Sequence, residues 1–151
     1  MLQRIQTVYL FLALIVTVVC LCLPIGAFTP AGMGGDTMMF NLWKLLPEGG
    51  HDFSVWPLFV ILLLTCPLNL LTIFTYKNRK LQSRLCVYNV LLNLVWIALY
   101  VVFGYVMVED GVTFNPQLAA CLPGVAIILY VMARRGIQSD ERLVRSMDRI
   151  R

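Results

Sequence analysis

The stretch LCVYNVLLNLVWIALYVVFGYVMV, Leu85 to Val108, runs for 24 residues without an Asp, Glu, Lys or Arg. Within it Asn89, Asn93, Trp96 and Tyr100 recur at spacings of 4, 3 and 4, which sets all four on one face of a helix. At 1.5 Å per residue such a helix is about 36 Å long, enough to cross a hydrocarbon core roughly 30 Å thick. Working outward, three more stretches lack charge: Thr7 to Phe28, Val55 to Tyr76 and Pro116 to Ala133, of 22, 22 and 18 residues. The four together cover more than half of the chain, so an even scatter of the 12 basic and 8 acidic residues would leave about 11 charges inside them. None is there. The reading is a polytopic membrane protein, an all-α left-handed bundle of four spanning helices with a short outer-loop cap.

Composition agrees with that reading. Apolar side chains make up 60% of the 151 residues and charged ones 13%, about half the share of a soluble domain. A disordered chain would need low hydrophobicity and high net charge. Barrel strands would alternate in polarity over about ten residues, whereas Val8 to Val19 is apolar on every face. The first stretch is also too long for the usual apolar core of a cleaved signal peptide, and we read it as a span. The chain then divides into a membrane domain over 1–135, with an outer loop at 29–54, and a tail over 136–151.

Sidedness follows from the basic residues. An even number of spans puts both ends on one side, together with Arg4, Lys77, Arg79, Lys80, Arg84, Arg134, Arg135, Arg142, Arg145, Arg149 and Arg151, against Lys44 alone on the other. Positive loops stay cytoplasmic, so both termini are expected inside. The net charge of +4 reads as attraction to anionic lipid head groups, with Lys77, Arg79, Lys80, Arg84, Arg142, Arg145 and Arg149 as lipid or partner contacts. No basic patch interleaved with aromatics supports nucleic-acid binding.

Amides in hydrocarbon need partners. Asn69 in the second span and Gln117 at the outer end of the fourth are candidates to hydrogen-bond the stripe of Asn89, Asn93, Trp96 and Tyr100. The stripe reads first as packing glue and second as a polar pathway, and the spans contain none of the ionisable residues that ion-coupled carriers use there. Pro67 and Pro123 fall inside spans and favour kinks. Ala120 and Gly124 form a small-xxx-small pair suited to close helix packing or to a dimer interface. The five cysteines lie in the spans and read as small buried hydrophobes. No cofactor, metal site or catalytic group is expected, and His51, the one histidine, reads as a solvated loop residue.

Two segments outside the spans carry structure. In the outer loop Met39, Leu42, Trp43 and Leu46 match a helical period behind an Asp36 or Thr37 cap, and a short strand pair fits the same residues. In the tail, Ser139 caps an expected amphipathic helix with Asp140 and Glu141 in its first turn and Leu143, Val144, Met147 and Ile150 along one face. That helix would lie on the inner leaflet or dock a partner.

The opening Gln3-Arg4-Ile5-Gln6-Thr7-Val8-Tyr9-Leu10 and the closing Leu143-Val144-Arg145-Ser146-Met147-Asp148-Arg149-Ile150-Arg151 resemble the two ends of a bacterial membrane-protein family designated domain of unknown function 4293. The resemblance spans the chain. It implies a small four-span inner-membrane protein of the Bacteroidetes type and brings no activity, cofactor or catalytic residue with it. A more distant likeness to claudin-type four-helix proteins rests on topology and on Leu42-Trp43 in the first outer loop, and this chain lacks their outer cysteine pair. The expected role is a non-catalytic accessory, scaffolding or assembly subunit, as a homo-oligomer or with a membrane-protein partner. The second reading is a small oligomeric transporter or channel using the polar face of the third span.

Overall fold

The computed structural model describes residues 2–32, 34–108 and 110–148. Four helices dominate it: α1 (Leu2–Cys22), α2 (Trp56–Phe74), α3 (Arg79–Val101) and α4 (Leu122–Asp148). A π-helical turn, Val102–Val106, extends α3, and a 3-10 turn, Leu118–Cys121, leads into α4. Each helix is long and apolar enough to cross a membrane. Neighbours in sequence pack side by side, and α1 against α4 closes the ring.

Burial is strictly periodic. The buried positions are 6, 10, 13, 17 and 20 on α1; 58, 62, 65, 69 and 72 on α2; 82, 86, 89, 93, 96 and 100 on α3; and 119, 123, 126, 130, 133, 137 and 140 along the 3-10 turn and α4. Alternating steps of 4 and 3 give a 3.5-residue repeat, the seam of a left-handed bundle. The polarity of the seam is inverted relative to a soluble bundle. Gln6, Thr17, Thr65, Asn69, Thr72, Gln82, Asn89, Asn93 and Asp140 all lie on it, while Val8, Phe11, Leu63, Leu64, Leu71, Leu91, Leu94 and Ile128 are exposed outside. An outer surface of this kind suits hydrocarbon, because only the bundle interior offers partners to the polar groups. Two apolar clusters result, one around Leu62, Trp96 and Tyr100, the other around Leu10, Cys86 and Tyr130.

The fold is not purely α-helical. A five-stranded antiparallel sheet caps one end of the bundle in the order β4-β3-β2-β1-β5. Its strands are β1 (Gly26–Pro30), β2 (Thr37–Met39), β3 (Lys44–Leu45), β4 (His51–Asp52) and β5 (Val112–Pro116). Of the two readings of Met39, Leu42, Trp43 and Leu46, the strands form and the helix does not, because β1 and β5 provide backbone partners that the local pattern does not reveal. Gly26 pairs with Pro116 and Pro30 with Val112, which ties the first outer loop to the second. Trp43 lies on the sheet near Phe40, His51 and Phe53. Lys44 Nζ lies 4.9 Å from the Phe28 ring centroid, a cation–π contact that holds a lone ammonium over an apolar strand.

The tail also differs from expectation. No second helix starts at Ser139; α4 runs without a break from Leu122 to Asp148, about 40 Å at the usual rise. Gly136 does not break it, because the Gln6 side chain fills the space beside it, with Cγ 3.0 Å from where a Cβ would sit. Asp140 is buried rather than free at a helix start. Pro67 lies inside α2 as read, whereas Pro123 occupies the first turn of α4, where a missing N–H costs little.

Phe114 of β5 seats the sheet on the bundle. Its ring meets Phe28, Tyr100 and Tyr105 at centroid distances of 4.9, 5.7 and 5.4 Å, and it lies against Gly26 and Gly104, where an added Cβ would overlap it. Gly104→Ala is therefore expected to destabilise the protein by about 1–3 kcal/mol through overpacking. Gly124 has open space at the same position, so Gly124→Ala is expected to stabilise it by about 0.5–1 kcal/mol through helix propensity alone. Thermal unfolding of the two variants in detergent measures both.

Candidate functional site: the polar layer of the bundle

The stripe on α3 divides into two halves. Towards the sheet, the Trp96 indole Nε1 donates to Asn41 Oδ1 at 3.0 Å, and Asn41 Nδ2 donates to the Cys20 carbonyl at 2.7 Å. The Cys20 carbonyl belongs to the last turn of α1, which has no onward helical N–H, so a loop amide caps the helix from outside. Tyr100 Oη donates to the Ile25 carbonyl at 2.8 Å, and its ring stacks on Trp96 with centroids 5.2 Å apart and planes 8° from parallel. This half binds the first outer loop to α3 with every polar side-chain atom satisfied.

Towards the termini the bonding is thinner. Asn69 Nδ2 donates to the Leu10 carbonyl at 3.1 Å and joins α2 to α1. Asn89 Nδ2 reaches its own Leu85 carbonyl at 3.1 Å and Thr72 Oγ1 of α2 at 3.5 Å, while Asn93 Nδ2 donates to the Asn89 carbonyl of its own helix at 2.8 Å. The Oδ1 atoms of Asn69, Asn89 and Asn93 have no protein partner. Each buried orphan opposes folding by about 1–3 kcal/mol. Asn89, Asn93, Trp96 and Tyr100 share the buried face of α3 that their spacing predicts and form with Asn69 a polar layer, in which Asn69 bonds the Leu10 carbonyl of α1 rather than the expected stripe.

Gln117 is not part of that layer. It is exposed between β5 and the 3-10 turn, and its backbone N–H bonds the Ile25 carbonyl, so the fourth span begins at Leu118 rather than at Pro116. Ala120 and Gly124 form no close crossing within the chain, since nothing lies within 4 Å of the Gly124 Cβ position. The small residues that admit a neighbouring helix are Ala119, Ala126 and Ala133, one step out of phase with the expected pair. Lys77, Arg79, Lys80 and Arg84 wall a cavity of about 660 Å³ at the termini end, and Arg142 is exposed apart from it. Arg149 and the Arg145 side chain lie outside the described residues.

Sequence reasoning missed two fixing points. Asn41, wholly buried in a loop, carries a signal only in hindsight: a lone amide between Phe40 and Leu42-Trp43. The other is the bond from Gln6 Nε2 to Asp140 Oδ2 at 2.6 Å, which ties the start of α1 to the end of α4, with Arg79 Nη1 on the Asp140 carbonyl at 3.3 Å.

The layer is made of amides, an indole, phenols and hydroxyls, groups that exchange hydrogen bonds without carrying charge, and its geometry braces helices against one another. Asn41→Ala is expected to cost about 2–3 kcal/mol, because it leaves the Trp96 N–H and the Cys20 carbonyl buried and unpaired. Asn93→Leu is expected to shift stability by less than about 1 kcal/mol, because it removes an intrahelical bond and an orphan oxygen together. Unfolding midpoints in a steric-trap or detergent titration separate the two.

No curated protein matches the chain. Residues 2–150 match the family described as Domain of unknown function (DUF4293), which covers essentially the whole length, and the chain belongs to that family.

Proposed function

We propose that this protein is a non-catalytic accessory or assembly subunit of a bacterial cytoplasmic membrane, with both termini inside and the sheet outside. The observation that carries the reading is the closure of the polar layer. Asn69, Asn89, Asn93 and Trp96 have no exposed surface, and Asn41, Trp96 and Tyr100 are occupied in fixing a loop to two helices. Among the described residues, the cavities at the termini end and beside β1 and β5 are not lined by these side chains. A rigid core with an elaborated cap suits a protein that presents surfaces to others. The sheet offers such a surface, with Met38, Leu46 and Phe53 exposed and β5 as a free edge whose Pro116 has no N–H to donate.

The sidedness rests on charge. Among the described residues, Lys77, Arg79, Lys80, Arg84, Arg134, Arg135 and Arg142 fall at the termini end, where a cytoplasmic leaflet would hold them, and Lys44 lies on the sheet. The transport reading has one observation in its favour, the unpartnered oxygens of Asn69, Asn89 and Asn93 in the middle of the bundle.

Purification of the full chain from native membranes in mild detergent after crosslinking tests the proposal. Recovery in a fixed ratio with a second membrane protein, or as a defined homo-oligomer, is the expected result; recovery as a monomer throughout overturns it. In liposomes no ion or solute flux is expected under any gradient. A flux abolished by Asn89→Leu with Asn93→Leu would replace the assembly reading with transport.

A further inference from the structure

Two cavities at the termini end meet at one side chain, Arg79. The first, about 480 Å³, opens on the flank of the bundle between α1 and the α2–α3 junction. One wall is Val8, Phe11 and Leu12, each about half exposed, and the buried Gln6 and Gln82 lie deeper, with the exposed Tyr76 at the mouth. The second, about 660 Å³, is walled by Lys77, Arg79, Lys80 and Arg84, against which Glu141 sets a single carboxylate. One is a trough at acyl-chain depth and the other a basic bowl at head-group depth.

The electrostatics of α3 sharpen the point. The first turn of a helix carries unpaired N–H groups and a partial positive charge, and acidic residues normally occupy it. Here the first turn has no acidic residue, Asn78 provides no side-chain cap, and Lys77 stands just before it with Arg79 and Lys80 just after. Cations stacked on a positive helix end repel one another and the macrodipole. An anion seated among them removes that repulsion and accepts from the free N–H groups. Arg79, braced through Nη1 on the Asp140 carbonyl, is held between the bowl and the trough.

We infer that this end of the bundle binds one anionic glycerophospholipid of the adjacent leaflet. Its phosphate sits among Lys77, Arg79, Lys80 and Arg84, and one acyl chain lies along Val8, Phe11 and Leu12. Charge complementarity selects the head group, and the continuity of the trough with the bowl selects a lipid over a free phosphate.

Native mass spectrometry of the full chain, with phosphatidylglycerol, phosphatidylcholine and glycerol phosphate offered separately at equal concentration, tests this. A single retained phosphatidylglycerol is expected, with weaker retention of phosphatidylcholine and none of glycerol phosphate. Lys80→Gln and Arg84→Gln, both at exposed positions and expected to fold, should each weaken phosphatidylglycerol roughly fivefold, as loss of one basic contact to anionic lipid predicts. Arg135→Gln, exposed and outside the cavity wall, should leave it unchanged. Equal retention of the two lipids overturns the inference, as does glycerol phosphate binding as tightly as phosphatidylglycerol, which would leave an anion site without a lipid.

Discussion

The hydrogen bond from the Trp96 indole to Asn41, continued by Asn41 to the Cys20 carbonyl, is the contact on which the arrangement of the sheet end depends. In water, burial of an apolar face would choose how four helices meet. In hydrocarbon the outside of the bundle is as favourable for Leu and Val as the inside, so that choice falls to close packing and to polar groups with nowhere else to bond. Trp96, the largest fully buried side chain, has a single donor, and its partner lies not on another helix but in the loop after α1. With Tyr100 on the Ile25 carbonyl, that loop is pinned at two points, and the strands that follow inherit their position from them.

The sheet is therefore a consequence of the seam rather than an independent cap. Once Ile25 is fixed, β1 starts beside α3, and Gly26 faces the Phe114 ring of the second loop. The π-helical turn at Val102–Val106 completes the seat. A turn that inserts an extra residue changes the helical phase, and it sets Gly104 rather than a larger side chain under Phe114. Two loops distant in sequence are joined because one aromatic ring has glycines on both sides.

These relations explain what the sequence makes legible. The presence of four apolar helices and the Asn89, Asn93, Trp96 and Tyr100 face depend on charge exclusion and a 3.5-residue step, both local in the chain and legible without a structure, whereas the first apolar stretch leaves the helix at Cys22 and enters β1 before Phe28. The sheet depends on pairing between residues such as Phe28 and Phe114, about 86 positions apart, and periodicity within Met39 to Leu46 cannot report it. Gln117 is misplaced for a related reason: hydropathy does not distinguish a short apolar strand end from the first turn of a helix. The Ala120 and Gly124 spacing is correct for a crossing but one residue out of phase, and phase is set by which face meets α1 and α3. Ser139 carries the local signal of a helix start, yet continuation of α4 wins because Gln6 and Asp140 bond across the seam beyond it.

The two ends of the bundle solve opposite problems. At the sheet end, the buried Asn41, Trp96 and Tyr100 are satisfied within the chain and pin the sheet to the bundle. At the termini end the buried bond between Gln6 and Asp140 fixes α1 to α4, but α3 begins with cations that the helix itself disfavours. A local conflict that lowers stability is expected where something outside the chain resolves it. The polar layer between the ends keeps three amide oxygens without a protein partner. α3 joins all three regions: its first turn carries the cations, its middle the amides and its last turns the Trp96–Tyr100 stack and the glycine under Phe114. It is the helix whose substitution affects both ends at once, and the reason the four apolar segments form one specific bundle rather than a collection of interchangeable spans.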